Sequence, residues 1–335
     1  MLLCGIMRSI LIKVDVMIQS NLSNKIIRKA GNNLKLNQAK KDDLDIISTF
    51  RSNHVQLMKM LVKTISKKLP KPLFIARRLK RLSSIQAKLQ RFDGMCLDRM
   101  QDIGGVRAVF KNNNEVKQFV KRIQSVYYGK RSVFKIVKEN DYISNPKDDG
   151  YRSYHIVFKY NGKINEVNGY HIELQLRDSL QHYWATAVEI LALRSSTNIK
   201  AGYGDECFKR FFWLCAELLA GNNNYKEEIK KLDEKYQILA LLSGLNVVCD
   251  NIEKKEKADN LYLMVLDTKD GILKLSAFGK GQLELAKNIY QSLETNDSTQ
   301  SVLVSVDSVK KLKRAYPNYF LDAKHFIKEV RERTK

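Results

Sequence analysis

The spacing of apolar residues along the first ninety positions predicts helices. Residues 46–69 (IISTFRSNHVQLMKMLVKTISKKL) repeat apolar side chains every three or four positions, which is the pattern of a helix with one buried face. Residues 83–91 continue as a second helix that carries several cations. The polar, Lys- and Asn-rich stretch 17–45 predicts a short helix and a connector. The N-terminal part is therefore expected to be mainly helical.

Strand and helix patterns alternate in the middle of the chain. Four segments rich in Val, Ile, Tyr and Phe predict strands at 106–110, 134–137, 154–160 and 170–177. Asn114 is expected to cap the first of two helices, which are predicted at 112–127 and 179–192. Because strands and helices interleave, the predicted class is α/β or α+β, with a mixed β-sheet flanked by helices.

The last third is predicted to start as helices and to end as a small α/β module. A loop is predicted at 196–206. It is followed by a helical stretch up to about residue 242 and by a charged linker at 250–260. A hairpin is predicted around Lys269, Asp270 and Gly271, followed by a helix, a strand and a helix at 281–294, 301–307 and 322–335. We expect an N-terminal segment, a central domain and a C-terminal domain at 1–45, 46–245 and 246–335.

The charge of the chain narrows the choice of ligands. Lysine and arginine number 59 against 36 acidic residues, a net charge of +23, and residues 61–140 hold twenty cations against five anions. Such an excess attracts polyanions over roughly a Debye length of about 8 Å. The alternative is a lysine-rich surface that keeps the protein well hydrated and binds no ligand. A local concentration of cations favours an anionic ligand.

The cysteines and the N-terminus point to a cytoplasmic protein. No CxxC pair occurs among the five cysteines, which argues against a disulfide framework or a structural zinc site and predicts reduced, mostly buried thiols: Cys4, Cys96, Cys207, Cys215 and Cys249. The apolar start is interrupted by charges at Arg8, Lys13 and Asp15, so no membrane span is predicted. Met7 and Met17 are alternative first residues.

Two basic or acidic segments open the candidate site. RRLKRLSSIQAKLQR at 77–91 is expected to gather cations around one helix start, where they neutralise phosphate, although a solvated basic helix is the plainer interpretation: Arg78, Lys80, Lys88 and Arg91. In QDIGGVRAVF at 101–110, Asp102 precedes a glycine turn and a strand. It can hold Mg²⁺ against phosphate oxygens, or it can simply cap the turn.

Two further segments add a loop and a polar strand face. DYISNPKDDGYRSYH at 141–155 predicts an ordered loop in which an exposed Tyr151 could stack on a base, unless it only packs within a hairpin. In YHIELQLRD at 170–178, alternation places Ile172, Leu174 and Leu176 on the core face. The opposite face, which an amphipathic edge strand would also show, carries Glu173, Gln175 and Arg177. No P-loop, HExxH or protein-kinase motif occurs.

Taken in this order, the four segments resemble the synthetase domain of the RelA/SpoT family, a nucleotidyltransferase-like fold, over about residues 60–195. The matching positions are Arg78, Lys80, Ser84, Ile85, Lys88, Asp102, Gly105, Arg107, the loop 141–155, Glu173, Gln175, Arg177, His182 and Ala185. Asp178 departs from the family, which often has Thr there. The paired His-Asp motif of the hydrolase half is absent, so no removal of the product is expected.

The resemblance implies a pyrophosphokinase that moves the β,γ-diphosphate of ATP to a ribose hydroxyl. It implies that ATP is bound by Arg78, Lys80, Ser84, Lys88 and Arg107. Asp102 and Glu173 would bind Mg²⁺, and Glu173 would also take the proton of the attacking hydroxyl. The acceptor would be held by Lys147, Tyr151, His155, Gln175 and Arg177. Such a transfer depends on positioning and charge neutralisation more than on covalent help.

The resemblance leaves the acceptor open. Members that make (p)ppGpp use GDP or GTP, whereas a toxic branch modifies the 3′ end of tRNA and stops translation. The cations of 61–140 and the extra C-terminal module favour tRNA. A non-catalytic RNA-binding regulator with a degenerate synthetase fold is a further alternative.

The C-terminal module is similar to that of fused toxin–antitoxin members of the CapRel type. In these proteins a Tyr-x-x-Tyr element acts at the ATP site, and Tyr316 and Tyr319 match it within AYPNYF. The resemblance implies a restrained synthetase that a phage protein, such as a capsid protein, would release in anti-phage defence. Two tyrosines that merely pack near a helix start are the alternative.

Overall fold

The computed structural model describes most of the chain from residue 22 onward. The described ranges are 22–128, 132–198, 205–243, 248–250, 260–267, 272–278, 282–294, 299–306, 312, 316, 319–320 and 322–335. The first 21 residues and the predicted linker residues 251–259 lie outside the described residues. Within the described part, no helix is long and apolar enough to cross a membrane.

Helices make up the N-terminal part and the layer that follows the main sheet. In chain order they are α1 (Asn24–Lys35), α2 (Lys41–Ile65), α3 (Leu82–Arg91), α4 (Asn113–Tyr127), α5 (Ser179–Asn198), α6 (Asp205–Leu219), α7 (Lys226–Tyr236), α8 (Ile238–Ser243), α9 (Leu283–Glu294) and α10 (Lys324–Thr334). The predicted helices of the first ninety residues are confirmed, although α2 begins five residues before the predicted start at residue 46.

A five-stranded mixed sheet is built from strands between residues 74 and 178. Its strands are β1 (Phe74–Leu79), β2 (Gly104–Phe110), β3 (Phe134–Asp141), β4 (Tyr154–Tyr160) and β5 (His171–Asp178), in the order β1-β2-β5-β4-β3. Only β2 and β5 run parallel, with Gly105 opposite Glu173 and Arg107 opposite Gln175. The predicted class, a mixed sheet flanked by helices, is confirmed.

The alternation predicted for the fifth strand is what separates core from site. Ile172, Leu174 and Leu176 are fully buried in one hydrophobic cluster with α1, α2 and α4. The side chains between them therefore lie on the opposite face of the sheet. Burial of one face of this strand thus fixes which polar groups meet on the other.

A second sheet of four strands lies in the C-terminal part. It consists of β6 (Val248–Asp250), β7 (Asn260–Asp267), β8 (Ile272–Phe278) and β9 (Thr299–Val306), in the order β6-β8-β7-β9. Strands β7 and β8 pair antiparallel, so the predicted hairpin is confirmed, with its turn residues outside the described part. Edge strand β9 approaches edge strand β1 of the main sheet.

The last helix packs against the helices that follow the main sheet. Phe326 and Val330 of α10 are buried in one hydrophobic cluster with Phe211 and Leu214 of α6. The Phe326 ring stacks on Phe212, with 5.6 Å between the ring centroids. Helix α10 is thus packed against α6, and the predicted domain boundary near residue 246 stays a prediction.

Three local predictions were wrong. Arg78 lies on strand β1 rather than at a helix start, because 74–79 pairs with β2 along its whole length. Helix α4 is capped by Asn112, whose side chain accepts a hydrogen bond from the Glu115 amide, and not by Asn114. Of the three cysteines whose burial the structure describes, only Cys215 is buried, whereas Cys96 and Cys207 are half-buried.

Candidate active site

A cavity of about 340 Å³ opens between the main sheet, α5 and the C-terminal part. The sheet contributes both carboxylates singled out from the sequence, since Asp102 precedes β2 and Glu173 lies on the neighbouring strand β5. Also in the lining are Arg77, Arg78, Arg81, Ser84, Gly105, Arg107, Gln175, Glu189, Val302, Tyr316 and Tyr319. Acidic and cationic groups from distant parts of the sequence therefore share one cleft.

Asp102 is held between two lysines. Lys80 Nζ lies 3.0 Å from Asp102 Oδ2, and Lys88 Nζ lies 2.9 Å from Asp102 Oδ1. Burial opposes ionisation of the carboxyl group, but the two ammonium groups outweigh it and lower the pKa of Asp102. The carboxylate is therefore charged and its cations lie beside the cavity.

Glu173 is held by donors from its own sheet. His155 Nδ1 lies 3.0 Å from Glu173 Oε1, and Gln175 Nε2 donates a hydrogen bond of 2.8 Å to Oε2. Burial raises the pKa of Glu173, yet the hydrogen bond and charge of His155 outweigh it and bring the pKa to about 2. Glu173 is therefore an ionised carboxylate over the relevant pH range.

The remaining acceptor-site candidates close a ring of hydrogen bonds around Tyr151. The Tyr151 hydroxyl lies 2.8 Å from His155 Nε2 and accepts a hydrogen bond of 2.6 Å from Arg177 Nη2. Arg177 Nη2 also donates to Gln175 Oε1 at 3.1 Å. The aromatic ring of Tyr151 is half-buried rather than exposed, contrary to prediction. Lys147 Nζ and the Arg177 guanidinium each lie 5.0 Å from the centroid of this aromatic ring.

Two arginines beside this ring keep hydrogen-bond donors free. Arg107 Nε and the Nε and Nη1 atoms of Arg177 are buried and make no hydrogen bond. Burial, the largest cause, and the charges of Arg177 and Arg78 together lower the pKa of Arg107 to about 10, while the charge of Glu189, 4.0 Å away, opposes them. Buried cationic donors without a partner are unusual in folded proteins and are the groups that an anionic ligand satisfies.

Two members of the sequence motif lie outside the cavity and stabilise the fold. Asp178 Oδ1 accepts a hydrogen bond from the Gln181 amide at 2.9 Å, and Gln181 Oε1 accepts one from the Asp178 amide at 3.1 Å. This is a capping box at the start of α5, so the departure from Thr has a structural role. His182 is buried beside Phe74, with 5.2 Å between the ring centroids.

The two C-terminal tyrosines lie at the cavity. Both are buried, with relative exposures of 7% for Tyr316 and 3% for Tyr319. The Tyr316 hydroxyl donates a hydrogen bond to the Arg77 carbonyl, and Arg81 donates to the Tyr319 hydroxyl. Burial raises the pKa of Tyr316 to about 12.

Sequence reasoning missed two arginines that contact tyrosines of the C-terminal part. Arg81 belongs to the same cationic run as Arg78, and its guanidinium lies 5.2 Å from the Tyr319 ring centroid. Arg51 of α2 is buried, and it donates to the Lys80 carbonyl at 3.0 Å and to the Tyr290 hydroxyl at 3.1 Å. An arginine on the buried face of the amphipathic α2 was the one available signal, and its partners are far away in sequence.

The arrangement can bind a polyphosphate with a divalent cation. Two ionised carboxylates can contribute two ligands, and phosphate oxygens would complete the shell, as Mg²⁺ prefers. Among the described residues, no group of three or more His, Cys, Asp or Glu side chains is placed to hold a metal ion alone. The donor set therefore fits a cation that arrives with a nucleotide better than a permanently bound metal.

Comparison with known proteins finds matches to the middle of the chain. Residues 77–192 match the family described as the region found in RelA/SpoT proteins. The chain is 35% identical over 131 residues to GTP pyrophosphokinase YjbM of Bacillus subtilis, covering 38% of this chain and 59% of the relative. It is 26% identical over 110 residues to GTP pyrophosphokinase YwaC of the same organism, covering 32% and 50%.

Among solved structures, small alarmone synthetase 1 of Bacillus subtilis bound to its product pppGpp is similar, with 22% identity, coverage of 64% of this chain and 95% of that one, and a TM-score of 0.37. The matches to the two curated relatives span 59% and 50% of their lengths. The family match bears out the resemblance to RelA/SpoT proteins over residues 77–192.

Proposed function

We propose that this cavity is the active site of an ATP-dependent pyrophosphokinase that transfers the β,γ-diphosphate of ATP to a ribose 3′-hydroxyl and releases AMP. The observation that carries this proposal is that Asp102 and Glu173 line one cavity with Arg78 and Arg107. The RelA/SpoT region at 77–192 and the names of the two curated relatives support the same reaction.

Each group has a role that its position supports. Arg78, Arg107 and Ser84 bind ATP, while Lys80 and Lys88 exchange Asp102 for the phosphates. Asp102 and Glu173 hold Mg²⁺, which when bound neutralises charge on the triphosphate. Glu173 also accepts the proton of the attacking hydroxyl, for which an ionised carboxylate is required. Charge neutralisation in a partly buried site is the main contribution that such a transfer needs.

The acceptor that we favour is GDP or GTP. Both curated relatives are named GTP pyrophosphokinases. Tyr151 stacks on the acceptor base after Lys147 moves away from the Tyr151 aromatic ring. His155, Gln175 and Arg177 contact the sugar and phosphates of the acceptor. The free Nε and Nη1 donors of Arg177 suit an acceptor that carries its own 5′-phosphates.

The 3′ end of tRNA is the second candidate acceptor, which would make the protein an inhibitor of translation. The observation that favours it is the net charge of +23, with twenty cations in residues 61–140. A folded RNA has a phosphate backbone that rewards many separate cations, whereas a mononucleotide does not need them. An RNA-binding regulator without activity is the outcome if no transfer occurs.

We also propose that the C-terminal domain restrains the enzyme. Tyr316 and Tyr319 lie at the ATP site, where they would compete with the nucleotide for the cavity. A ligand that binds the C-terminal domain better in its detached form would shift the population toward the open enzyme. In a CapRel-type fusion acting in anti-phage defence this ligand is a phage protein, such as a capsid protein, and the enzyme acts in the cytoplasm.

One assay separates these functions. The wild-type chain and the Tyr316→Ala/Tyr319→Ala variant are each incubated with γ-labelled ATP, Mg²⁺ and one acceptor: GDP, GTP or deacylated tRNA. Label on guanosine nucleotide supports the favoured acceptor, and label on tRNA alone supports the second candidate. If neither chain transfers label to any acceptor, the pyrophosphokinase proposal is wrong.

A further inference from the structure

The loop between β3 and β4, residues 142–153, is attached to helix α6 by an ion pair that sequence motifs did not indicate. Arg152 Nη2 donates to Glu217 Oε1, with side-chain exposures of 13% and 22%. The other carboxylate oxygen accepts a hydrogen bond of 3.3 Å from Asn222 Nδ2, just beyond the end of α6. Both oxygens of Glu217 are therefore bonded, which fixes the position of the carboxylate that Arg152 meets.

The backbone beside Arg152 touches the same helix. Gly150 has a φ of +87°, and a Cβ atom placed there would lie 2.8 Å from Ala216 Cβ and 3.4 Å from Trp213 Cα. Arg152 Nη1 also donates to the Gly150 carbonyl at 3.1 Å. Since Tyr151 lies between these two attached residues, its backbone is fixed from both sides.

Helix α6 is itself held firmly from behind. Trp184 Nε1 of α5 donates to the Phe212 carbonyl at 2.7 Å, and Phe326 of α10 stacks on the Phe212 ring. Phe211, Leu214 and Leu218 of the same helix are fully buried. Because α6 is held in place by this packing, Glu217 is a fixed point to which Arg152 of the loop binds.

We infer that the Arg152–Glu217 ion pair fixes the loop 142–153 on α6 and thereby positions Tyr151 for the acceptor. Arg152 and Glu217 are then positioning residues that need not touch a substrate. This inference rests on the proposed function for the identity of the acceptor site. A half-buried pair with both carboxylate oxygens bonded is more effective than an exposed pair, which contributes little. Loss of the pair frees the loop and lowers the fraction of molecules ready to bind the acceptor.

The test compares Glu217→Gln with Glu227→Gln, whose parent carboxylate forms an exposed pair with Lys230 on α7. Both are assayed in the Tyr316→Ala/Tyr319→Ala background with the acceptor that the labelled-ATP assay identifies. For Glu217→Gln we expect the KM of the acceptor to rise about tenfold, with kcat and the KM of ATP within twofold. Arg152→Gln should give the same change, and the double variant no further loss.

A second readout does not depend on catalysis. The chain has two tryptophans, and they lie beside this loop: Trp213 against Gly150 and Trp184 with its ring centroid 6.4 Å from that of Tyr151. Release of the loop uncovers Trp213, so quenching of tryptophan fluorescence by acrylamide should increase at least 1.5-fold in Glu217→Gln and stay unchanged in Glu227→Gln.

The two proposals fail in different ways. If the parent chain transfers no diphosphate, the proposed function is wrong, and the quenching experiment still decides whether the ion pair holds the loop. Equal quenching in the two variants overturns the inference, as does a parallel rise of both KM values together with a lowered melting temperature. The last result would show that Glu217 only stabilises the fold.

Discussion

Tyr316, near the end of the chain, donates a hydrogen bond from its hydroxyl to the backbone carbonyl of Arg77 on edge strand β1. The contact joins residues 239 positions apart and lies at the cavity that Asp102 and Glu173 line. The neighbouring Tyr319 hydroxyl accepts a hydrogen bond from Arg81 and donates one to the Ser301 carbonyl. The C-terminal part of the chain therefore contacts the proposed ATP site through side chains that a nucleotide would have to displace.

Removal of the second tyrosine ring should activate the enzyme. In Tyr319→Ala the cavity loses a buried ring and the Arg81 contact, so the closed form is destabilised relative to the open form. We expect kcat/KM for ATP to rise at least tenfold in a steady-state assay of AMP release. Tyr128→Ala, which removes a tyrosine that is 64% exposed just after α4, serves as the control and should leave kcat/KM for ATP unchanged. An unaltered kcat/KM in Tyr319→Ala would remove the restraint from the account.

The contact between Gly150 and α6 predicts an effect on the acceptor. Gly150→Ala adds a Cβ that meets Ala216 Cβ at 2.8 Å, whereas Gly94→Ala adds one with no atom within 4 Å. Both glycines have positive φ, so both variants pay the same type of backbone cost, about 1 kcal/mol. We expect only Gly150→Ala to raise the KM of the acceptor, by about tenfold. Equal KM values in the two variants would contradict this.

Asp178 is expected to matter for stability rather than for chemistry. Its capping box with Gln181 satisfies two backbone amides at the start of α5. Asp178→Ala should lower the free energy of unfolding by about 1 kcal/mol, while Asp178→Ser, which keeps a capping oxygen, should lower it less. Chemical denaturation measures both. A large loss of kcat in Asp178→Ser at full stability would place Asp178 in the site after all.

The buried His54 predicts how stability depends on pH. Burial lowers its pKa from 6.5 to about 4, with its backbone hydrogen bond to Phe50 opposing the shift. Below about pH 6.5 the unfolded chain takes up a proton that the folded chain does not, so stability is lost as pH falls toward about 4. The loss should reach roughly 3 kcal/mol in the wild type relative to His54→Phe. Parallel stability curves for the two chains would show that the ring titrates normally.

The sequence predicts best where one strong pattern acts locally. Alternation in 170–177 placed Ile172, Leu174 and Leu176 in the core and Glu173 and Gln175 at the cavity, as the structure shows. The prediction failed for strand β1. Arg77 and Arg78 belong to a cationic run whose sequence resembles a helix, and they form a strand because they pair with β2.

Long-range partners were outside the reach of the sequence. Nothing local indicates that Arg51 meets Tyr290 or that Arg152 meets Glu217, because such pairs depend on how helices and sheets pack together. Glu189 lies at the cavity because α5 runs past β2, and its polar position on the helix looks like an ordinary solvated one. The motifs therefore indicated the proposed reacting groups, and the fold showed which groups hold them.

The central claim, that Asp102 and Glu173 act together at one nucleotide site, is tested most directly by diphosphate transfer from γ-labelled ATP in the Tyr316→Ala/Tyr319→Ala background. Asp102→Asn and Glu173→Gln should each lower kcat about a hundredfold to a thousandfold, as loss of a single charge-stabilising group does elsewhere. Asp93→Asn, which neutralises a fully exposed carboxylate just after α3, should leave kcat unchanged. Near-normal transfer by either Asp102→Asn or Glu173→Gln would contradict the account.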